Sequence, residues 1–322
     1  MANIDELKNE NIQKVRELFY KGETWTKTII SEKTGLSLAG VTNILKSLLE
    51  IGEIEYVGDG ESTGGRKSKI YRLKKDYSSI AEVLLLRDAL EYEITLRVRN
   101  LGGEIIVENS IRRKNCVLTD IVDFIDDTVS AISSLKVIVI SVPGVVKDGH
   151  CVTCDFEMLE DVFLTEEVSK KTGVACIAEN DVNLAAIKMS KDLSKYQNIA
   201  LFYQPKVLSA GVGIILNGEL FSGKNGAAGE VQFLPAPAGG LYNEMQTNNA
   251  AKLLKMQMDS VQAVLNLDAI IWNSAAFDGD LPEESTIPKK YEPAYIHVGK
   301  LDQLISQGLD ILGREYLWRN RI

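Results

Sequence analysis

After Asp76 the chain reads as three consecutive strands, VLLLRD, EITLRVRN and GEIIVENSI, joined by short connections. A helix pattern follows in LTDIVDFIDDTVSAI, then a buried strand in KVIVISVPG, a helix around Leu164–Lys171 and another buried strand in VACIAEN. A meander that gives way to alternating helix and strand builds an α/β lobe. The pattern then recurs, with strands in NIALFYQ, KVLSAGVGIILNG and GELFSG, helices from about Thr247 to Leu265, a strand in DAIIWN and a final helix from about Leu301. Two similar lobes are expected, about 77–180 with 300–322, and about 181–299. Ligands favour the cleft between such lobes. At the end of one apolar run stands AENDVNLAA, which sets Glu179, Asn180 and Asp181 side by side before a small-residue helix pattern. Asp181 is open to three roles there: a catalytic base, a ligand-gripping group, or part of a helix cap.

The first 76 residues have a different grammar. Ile12, Val15, Leu18 and Phe19 recur at helical spacing up to Gly22. A second helix fits Lys27–Thr34, with Thr26 able to cap it and Gly35 to end it. In SLAGVTNILKSLLEIGEI, Ser37 is a good N-cap and Gly52 a good C-cap glycine. Val41, Ile44, Leu45, Leu48 and Leu49 form one apolar stripe between them. The other face offers Thr42, Asn43 and Lys46, polar groups suited to a major groove. Two helices, a tight turn and a third helix with a polar outer face describe a helix-turn-helix. EIEYVGDGESTGGRKSKIYRL then reads as a β-hairpin wing, from whose thin Gly64-Gly65 loop Arg66 projects toward a narrow minor groove. The expected DNA contacts are Ser37, Thr42, Asn43, Lys46, Arg66, Lys67 and Lys69.

Charge agrees with that division. Net charge is −9, which argues against a protein coated for nucleic acid, yet residues 1–80 hold 13 Lys+Arg against 12 Asp+Glu while the remainder holds 23 against 33. Ser62–Lys75 holds six basic residues and no acid, a local stripe able to meet phosphates. No apolar run approaches a membrane span, and the N-terminus lacks a secretory pattern, so no membrane partner and a cytoplasmic location are expected. Four cysteines are too few and too scattered for a disulfide framework. Cys151 and Cys154 make a lone C-x-x-C beside His150, short of a tetrahedral ligand set. Neither a metal nor a cofactor is expected.

SVPGVV, TGVACIAENDVNLAA and GVGIILNGELFSGKNGAAGEV together resemble the ROK family of repressors, open reading frames and sugar kinases, and the module with the GGRKS wing is similar to the DNA-binding half of ROK repressors. The resemblance runs over nearly the whole chain. It implies an actin-like, two-lobed ATPase (ribonuclease H-like) α/β fold, preceded by a winged helix-turn-helix over 1–76 and continuing as an effector and dimerisation domain over 77–322. It also implies that Asn180, Asp181, Glu230 and Glu244 bind sugar hydroxyls, with Asp155 near a further hydroxyl-binding position and Asp181 at the place of the kinase base. Carboxylates and amides suit that task because each pairs with vicinal hydroxyls.

The family's nucleotide elements are degraded. The D-x-G-x-T turn matches LLLRDALEYEITL, where Asp88 is followed by bulky residues and no glycine occurs between Gly65 and Gly102. The second phosphate loop reads VLSAGVG, with Val207 and Ser209 in place of two glycines and only Gly211 and Gly213 left. Trp272-Asn273-Ser274 replaces the adenosine-side glycine pair. Phosphoryl transfer needs close backbone approach to phosphates, which these residues deny. The zinc cluster is missing too: Phe233 stands for its histidine, and PAPAGGLYNEMQ has no cysteine.

The expected function is a DNA-binding regulator, a repressor in type, whose non-catalytic cleft responds to a sugar or sugar derivative. A homodimer or a dimer of dimers would meet a palindromic operator in double-stranded DNA. Two alternatives differ in kind: a sugar kinase fused to a DNA-binding head, and an effector-independent regulator that uses its larger half only as a dimerisation scaffold.

Overall fold

The computed structural model describes residues 4–21, 24–60, 67–87, 91–206, 210–234 and 249–320. In the N-terminal module, α1 (Ile4–Tyr20) buries Val15 and Phe19 completely, with Ile12 and Leu18 packed beside them. After β1 (Trp25–Thr26), the Thr26 hydroxyl caps α2 (Lys27–Thr34) by accepting from Ile29 N at 3.4 Å, and Gly35 ends it at φ 70°. Ser37 caps α3 (Leu38–Glu50) through Gly40 N at 3.1 Å.

Val41, Ile44, Leu45 and Leu48 of α3 are buried as their spacing predicts, but Leu49 is 38% exposed. It lies about 80° around the helix from Val41, beyond the buried arc. Gly52, at φ 74°, closes α3 by donating to Leu49 O (3.1 Å), while Glu53 N reaches Leu48 O (2.9 Å). β2 (Ile54–Asp59) and β3 (Lys69–Leu73) form the hairpin, and β1 completes an antiparallel sheet in the order β1-β3-β2. A two-residue strand such as β1 has no period for a sequence reading to find.

The linker out of the hairpin is bonded on both sides. Lys74 N donates to Glu53 O (2.9 Å), Leu101 N to Lys75 O (2.8 Å), and Asn100 Nδ2 to Asp76 Oδ1 (2.9 Å). Lys75 Nζ pairs with Glu104 at 3.0 Å.

The chain then enters β4 (Ser79–Arg87), β5 (Tyr92–Asn100) and β6 (Ile105–Arg113), an antiparallel meander. α4 (Leu118–Val129) leads to β7 (Leu135–Val142), parallel to β4. A hairpin of β8 (Gly144–Lys147) and β9 (His150–Cys154) follows, then α5 (Leu164–Thr172) and β10 (Ala175–Asn180), parallel to β7. The sheet order is β10-β7-β4-β5-β6, and α4 packs with α5 over one face.

α6 (Asp181–Asp192) crosses to a second sheet, built from β11 (Ile199–Gln204), β12 (Gly211–Leu216), β13 (Glu219–Leu220), β14 (Ala269–Ser274) and β15 (Ala294–His297) in the order β13-β12-β11-β14-β15. α7 (Ala250–Leu265) covers its outer face with Leu254 and Met258 against Ala200, Phe202 and Ile270. The inner face takes α6.

α8 (Leu301–Arg319) lies against α6, against β4 and β7 of the first sheet, and against α1. The two sheets thus share a middle layer of α6 and α8. Gly308 sets its thickness: a Cβ there would come within 2.2 Å of Leu184 O on α6. Among the described residues no helix is long and apolar enough to cross a membrane.

Candidate functional site

The candidate site is assembled where β7 and β10 end side by side, Val142 opposite Asn180. The chain leaves β7 through Pro143-Gly144. Asp155 N donates to Pro143 O (2.9 Å), and the Asn180 amide donates to Gly144 O (2.9 Å), so both residues hang on the same turn. Asn180 is also the N-cap of α6, its Oδ1 accepting from Asn183 N at 2.9 Å. Glu179 locks the turn by accepting from Asn180 N (2.8 Å) and Asn183 Nδ2 (2.9 Å). Asp181 is therefore the first residue of the helix, and its Oδ1 accepts from Val182 N at 2.8 Å.

Glu230 arrives from the other lobe on two constrained glycines. Gly226 has φ 78° and Gly229 φ 94°; a Cβ on the first would meet Val146 O at 2.4 Å, and on the second Val212 O at 1.8 Å. Only glycine fits either place. Burial pushes the Asp181 carboxyl up to about 7, against the bond from Val182 N, and the charges of Asp155 and Glu230 push it further. Burial likewise raises Asp155, with Arg87 opposing. It raises Glu230 too, where the Gln232 amide (2.8 Å) opposes and Asp155 adds. Three carboxylates that feel one another, beside the amide of Asn180, make an acceptor-rich patch that a polyol's hydroxyls could satisfy. Glu244 lies outside the described residues.

Two groups at this site have no counterpart in the sequence reading. Arg87, ending β4, donates to the Asp155 carbonyl, pairs with Glu157 at 3.3 Å and covers the Tyr92 ring at 5.1 Å. A cation closing an otherwise buried strand was its available signal. Tyr203 of β11 is raised by burial and then by Asp181 and Asp302; as an aromatic within an apolar run it gave none.

The remnants of the nucleotide motifs have packing roles. A Cβ on Gly213 would lie 2.6 Å from both Ala186 Cβ and Val182 O, so this glycine seats α6 on β12. Trp272 is stacked with Phe277 (5.8 Å) and tilted against His297 (4.2 Å), while Asn273 donates to Val298 O (2.6 Å) and Gly299 O (2.9 Å). Asp88, Val207 and Ser209 lie outside the described residues. Phe233 is 78% exposed. Burial pushes the thiols of Cys151 and Cys154 up to about 11 and about 12, and His150 is occupied by Asp161 (2.9 Å) and by stacking on Phe163.

On the N-terminal module, Thr42, Asn43 and Lys46 share the exposed face of α3, and Lys67 and Lys69 are exposed at the start of β3, with Lys69 over the Tyr56 ring at 5.5 Å. Lys46 lies 3.8 Å from Glu50, both solvated. Arg66 lies outside the described residues. Ser37 spends its hydroxyl as the α3 cap. Ser37→Ala is expected to cost about 1 kcal/mol in urea unfolding, and an unchanged midpoint would dismiss the cap.

The model of the ROK family matches residues 92–242. A xylose repressor of Staphylococcus xylosus is 28% identical over 233 residues, covering 69% of this chain and 60% of the relative. The chain thus spans less than two thirds of that relative's length. A xylose repressor of Lactiplantibacillus pentosus is 25% identical over 322 residues, 95% of this chain and 76% of the relative. Among solved structures, a ROK family transcriptional regulator, a homologue of the E. coli MLC protein, superposes with a TM-score of 0.71 at 16% identity over 96% of this chain and 99% of its own. A ROK glucokinase of Streptomyces griseus, solved with glucose and AMPPNP, gives 0.54 at 13% identity over 74% and 100%. The fold is therefore the two-lobed α/β architecture of actin-like ATPases, shared by regulators and kinases. Through residues 92–242, the chain is similar to the ROK family.

Proposed function

We propose that this chain is a DNA-binding transcriptional regulator, a repressor in type, released or retained by a sugar that binds between its lobes. The supporting observation is one chain that carries both a capped helix with Thr42, Asn43 and Lys46 outward and a cleft that gathers Asp155, Asn180, Asp181 and Glu230. In this reading residues 1–76 bind DNA and residues 77–322 bind the effector and a second copy, so that a homodimer meets a palindromic operator. The named relatives are xylose repressors, which makes xylose the first sugar to try. Sugar binding shifts the head only if the two states bind it with different affinity.

Catalysis is not part of this reading. Trp272-Asn273-Ser274 replaces the family's adenosine-side glycine pair, with Trp272 packed against Phe277 and His297, and Gly213 is spent on helix packing. An ATP titration is expected to be flat, and saturable ATP binding would restore the kinase alternative.

The central test is fluorescence anisotropy of the full chain on operator DNA across a panel of sugars. One sugar is expected to shift DNA affinity at least tenfold, and Asp181→Ala or Glu230→Ala to remove that response while leaving sugar-free binding intact. A response that survives both substitutions would favour the scaffold alternative.

A further inference from the structure

We propose that α3 reads A·T base pairs, through thymine methyl groups and one adenine edge, and that this sets operator specificity. The proposal rests on the DNA-binding reading above and specifies what the helix recognises.

Both hydroxyls at the start of α3 are already partly committed. Ser37 Oγ accepts from Gly40 N at 3.1 Å, and Thr42 Oγ1 donates to Leu38 O at 2.6 Å. Ser37 keeps its O–H to donate and Thr42 its oxygen lone pairs to accept, so each brings only part of its hydrogen-bonding capacity to a base edge. Thr42 is exposed with its hydroxyl turned back on the helix, so the group it offers outward is its methyl.

Around it stand Leu38, 48% exposed, and Ala39, also exposed. Ala39, Thr42 and Asn43 lie on the side of α3 away from the buried stripe of Val41, Ile44, Leu45 and Leu48, and the half-exposed Leu38 flanks that stripe beside Leu45. They occupy its first turn and a half, the part of a recognition helix that enters the major groove. Three of the four are apolar or methyl-tipped, and the apolar feature of that groove is the thymine C5-methyl.

Asn43 is exposed and has no hydrogen-bond partner among the described residues. Its amide carries a donor and an acceptor side by side, the complement of adenine N6 and N7. Guanine is best read by a cation, above all a bidentate arginine. No arginine occurs between Arg16 and Arg66, and Arg16 is bound to Glu53 inside the module. Lys46, one turn beyond Thr42 on the same exposed face, is the α3 cation, and its ammonium lies 3.8 Å from the Glu50 carboxylate. The chemistry of the helix therefore matches adjacent A·T pairs beneath its N-terminal end.

The test begins with selection of binding sites from random-sequence duplex DNA by the full chain. Footprinting then fixes which bases lie under α3. Half-sites with at least two adjacent A·T pairs there are expected. In the selected duplex, each thymine under α3 is replaced by uracil, which deletes only the C5-methyl, and each adenine by 7-deazaadenine, which deletes only N7. Affinity is expected to fall about threefold to fivefold per methyl, the value of burying one methyl group. It is expected to fall about tenfold for the adenine under Asn43.

Leu38→Ala should abolish the uracil penalty at one position, and Asn43→Ala the deaza penalty at another. Leu38 and Asn43 are both exposed, and the base-analogue measurements need no variant at all. A G·C-rich selected site under α3, or analogues bound as tightly as the natural bases, overturns the proposal. So does salt-dependent DNA binding without sequence preference, although the DNA-binding reading survives that result. No binding to any duplex at low salt overturns both.

Discussion

Replacing Glu53 with alanine is expected to lower stability by about 3 kcal/mol in urea unfolding, because it strands a buried guanidinium. Glu53 is 1% exposed, and its Oε2 accepts from Arg16 Nε (3.0 Å) and Nη2 (2.7 Å); Arg16 is 12% exposed. The Tyr20 hydroxyl is raised well above its usual range, first by burial and then by the Glu53 charge to which it also bonds. A carboxylate so enclosed repays its desolvation only while all partners stand. The double change Arg16→Met with Glu53→Leu is therefore expected to lie within about 1 kcal/mol of the parent, since apolar groups of similar volume replace a buried pair at little cost. The position matters beyond stability. Glu53 O receives Lys74 N at the mouth of the linker, and burial and the Glu53 charge raise Tyr77 just beyond it. Glu53→Ala should thus weaken DNA binding and its response to any sugar together, with the double variant recovering both. A single variant as stable as the parent would remove the pair from this role.

The elements legible in the sequence were those with a strong period. Along β5 buried and half-buried residues alternate strictly, and β7 is apolar nearly throughout because helices cover both its faces. What escaped were pieces too short or too polar to carry a period: β1, the β8–β9 hairpin, and β15, whose four residues pair with β14 only because the chain returns from far away. The site divides in the same way. Asn180 was recognisable as a helix cap, yet that its amide also grips Gly144 O depends on β7 and β10 ending together, a long-range fact. Gly213 shows the limit of reading by motif. Its spacing suggested a remnant of a phosphate loop, whereas its neighbours are Ala186 and Val182 of α6. A glycine that admits a helix and one that admits a phosphate look alike in sequence because both answer the same need, close approach of backbone.

The stability of the chain is expected to fall as pH rises from about 4 to about 7, and Asp181→Asn is expected to flatten that fall. The Asp181 carboxyl titrates at about 7 in the folded chain against an ordinary value of 3.8. Between those values the folded state holds a proton that the unfolded state has lost, so unfolding becomes easier with each step upward and levels off above about 7. Three units correspond to roughly 4 kcal/mol, and residual solvent at this half-buried residue trims that to about 2–3 kcal/mol. Asp155, Glu179 and Glu230 are raised as well and act in the same direction, whereas Glu104, lowered by Lys75, acts oppositely. The substitution therefore reduces the slope without abolishing it. An equal slope in parent and variant, from urea unfolding at pH 5, 6, 7 and 8, would place the titration elsewhere. The same proton governs ligand binding with the opposite sign. Sugar hydroxyls donate to a carboxylate, and the ionised Asp181 accepts them more strongly than the protonated acid, whose O–H is itself a donor. For a group titrating near 7 the ionised fraction rises about tenfold from pH 6 to pH 8, and a neutral sugar should tighten by about that factor. Once ionised, Asp181 repels the charges of Asp155 and Glu230, and hydroxyl donors relieve that repulsion by bonding to it.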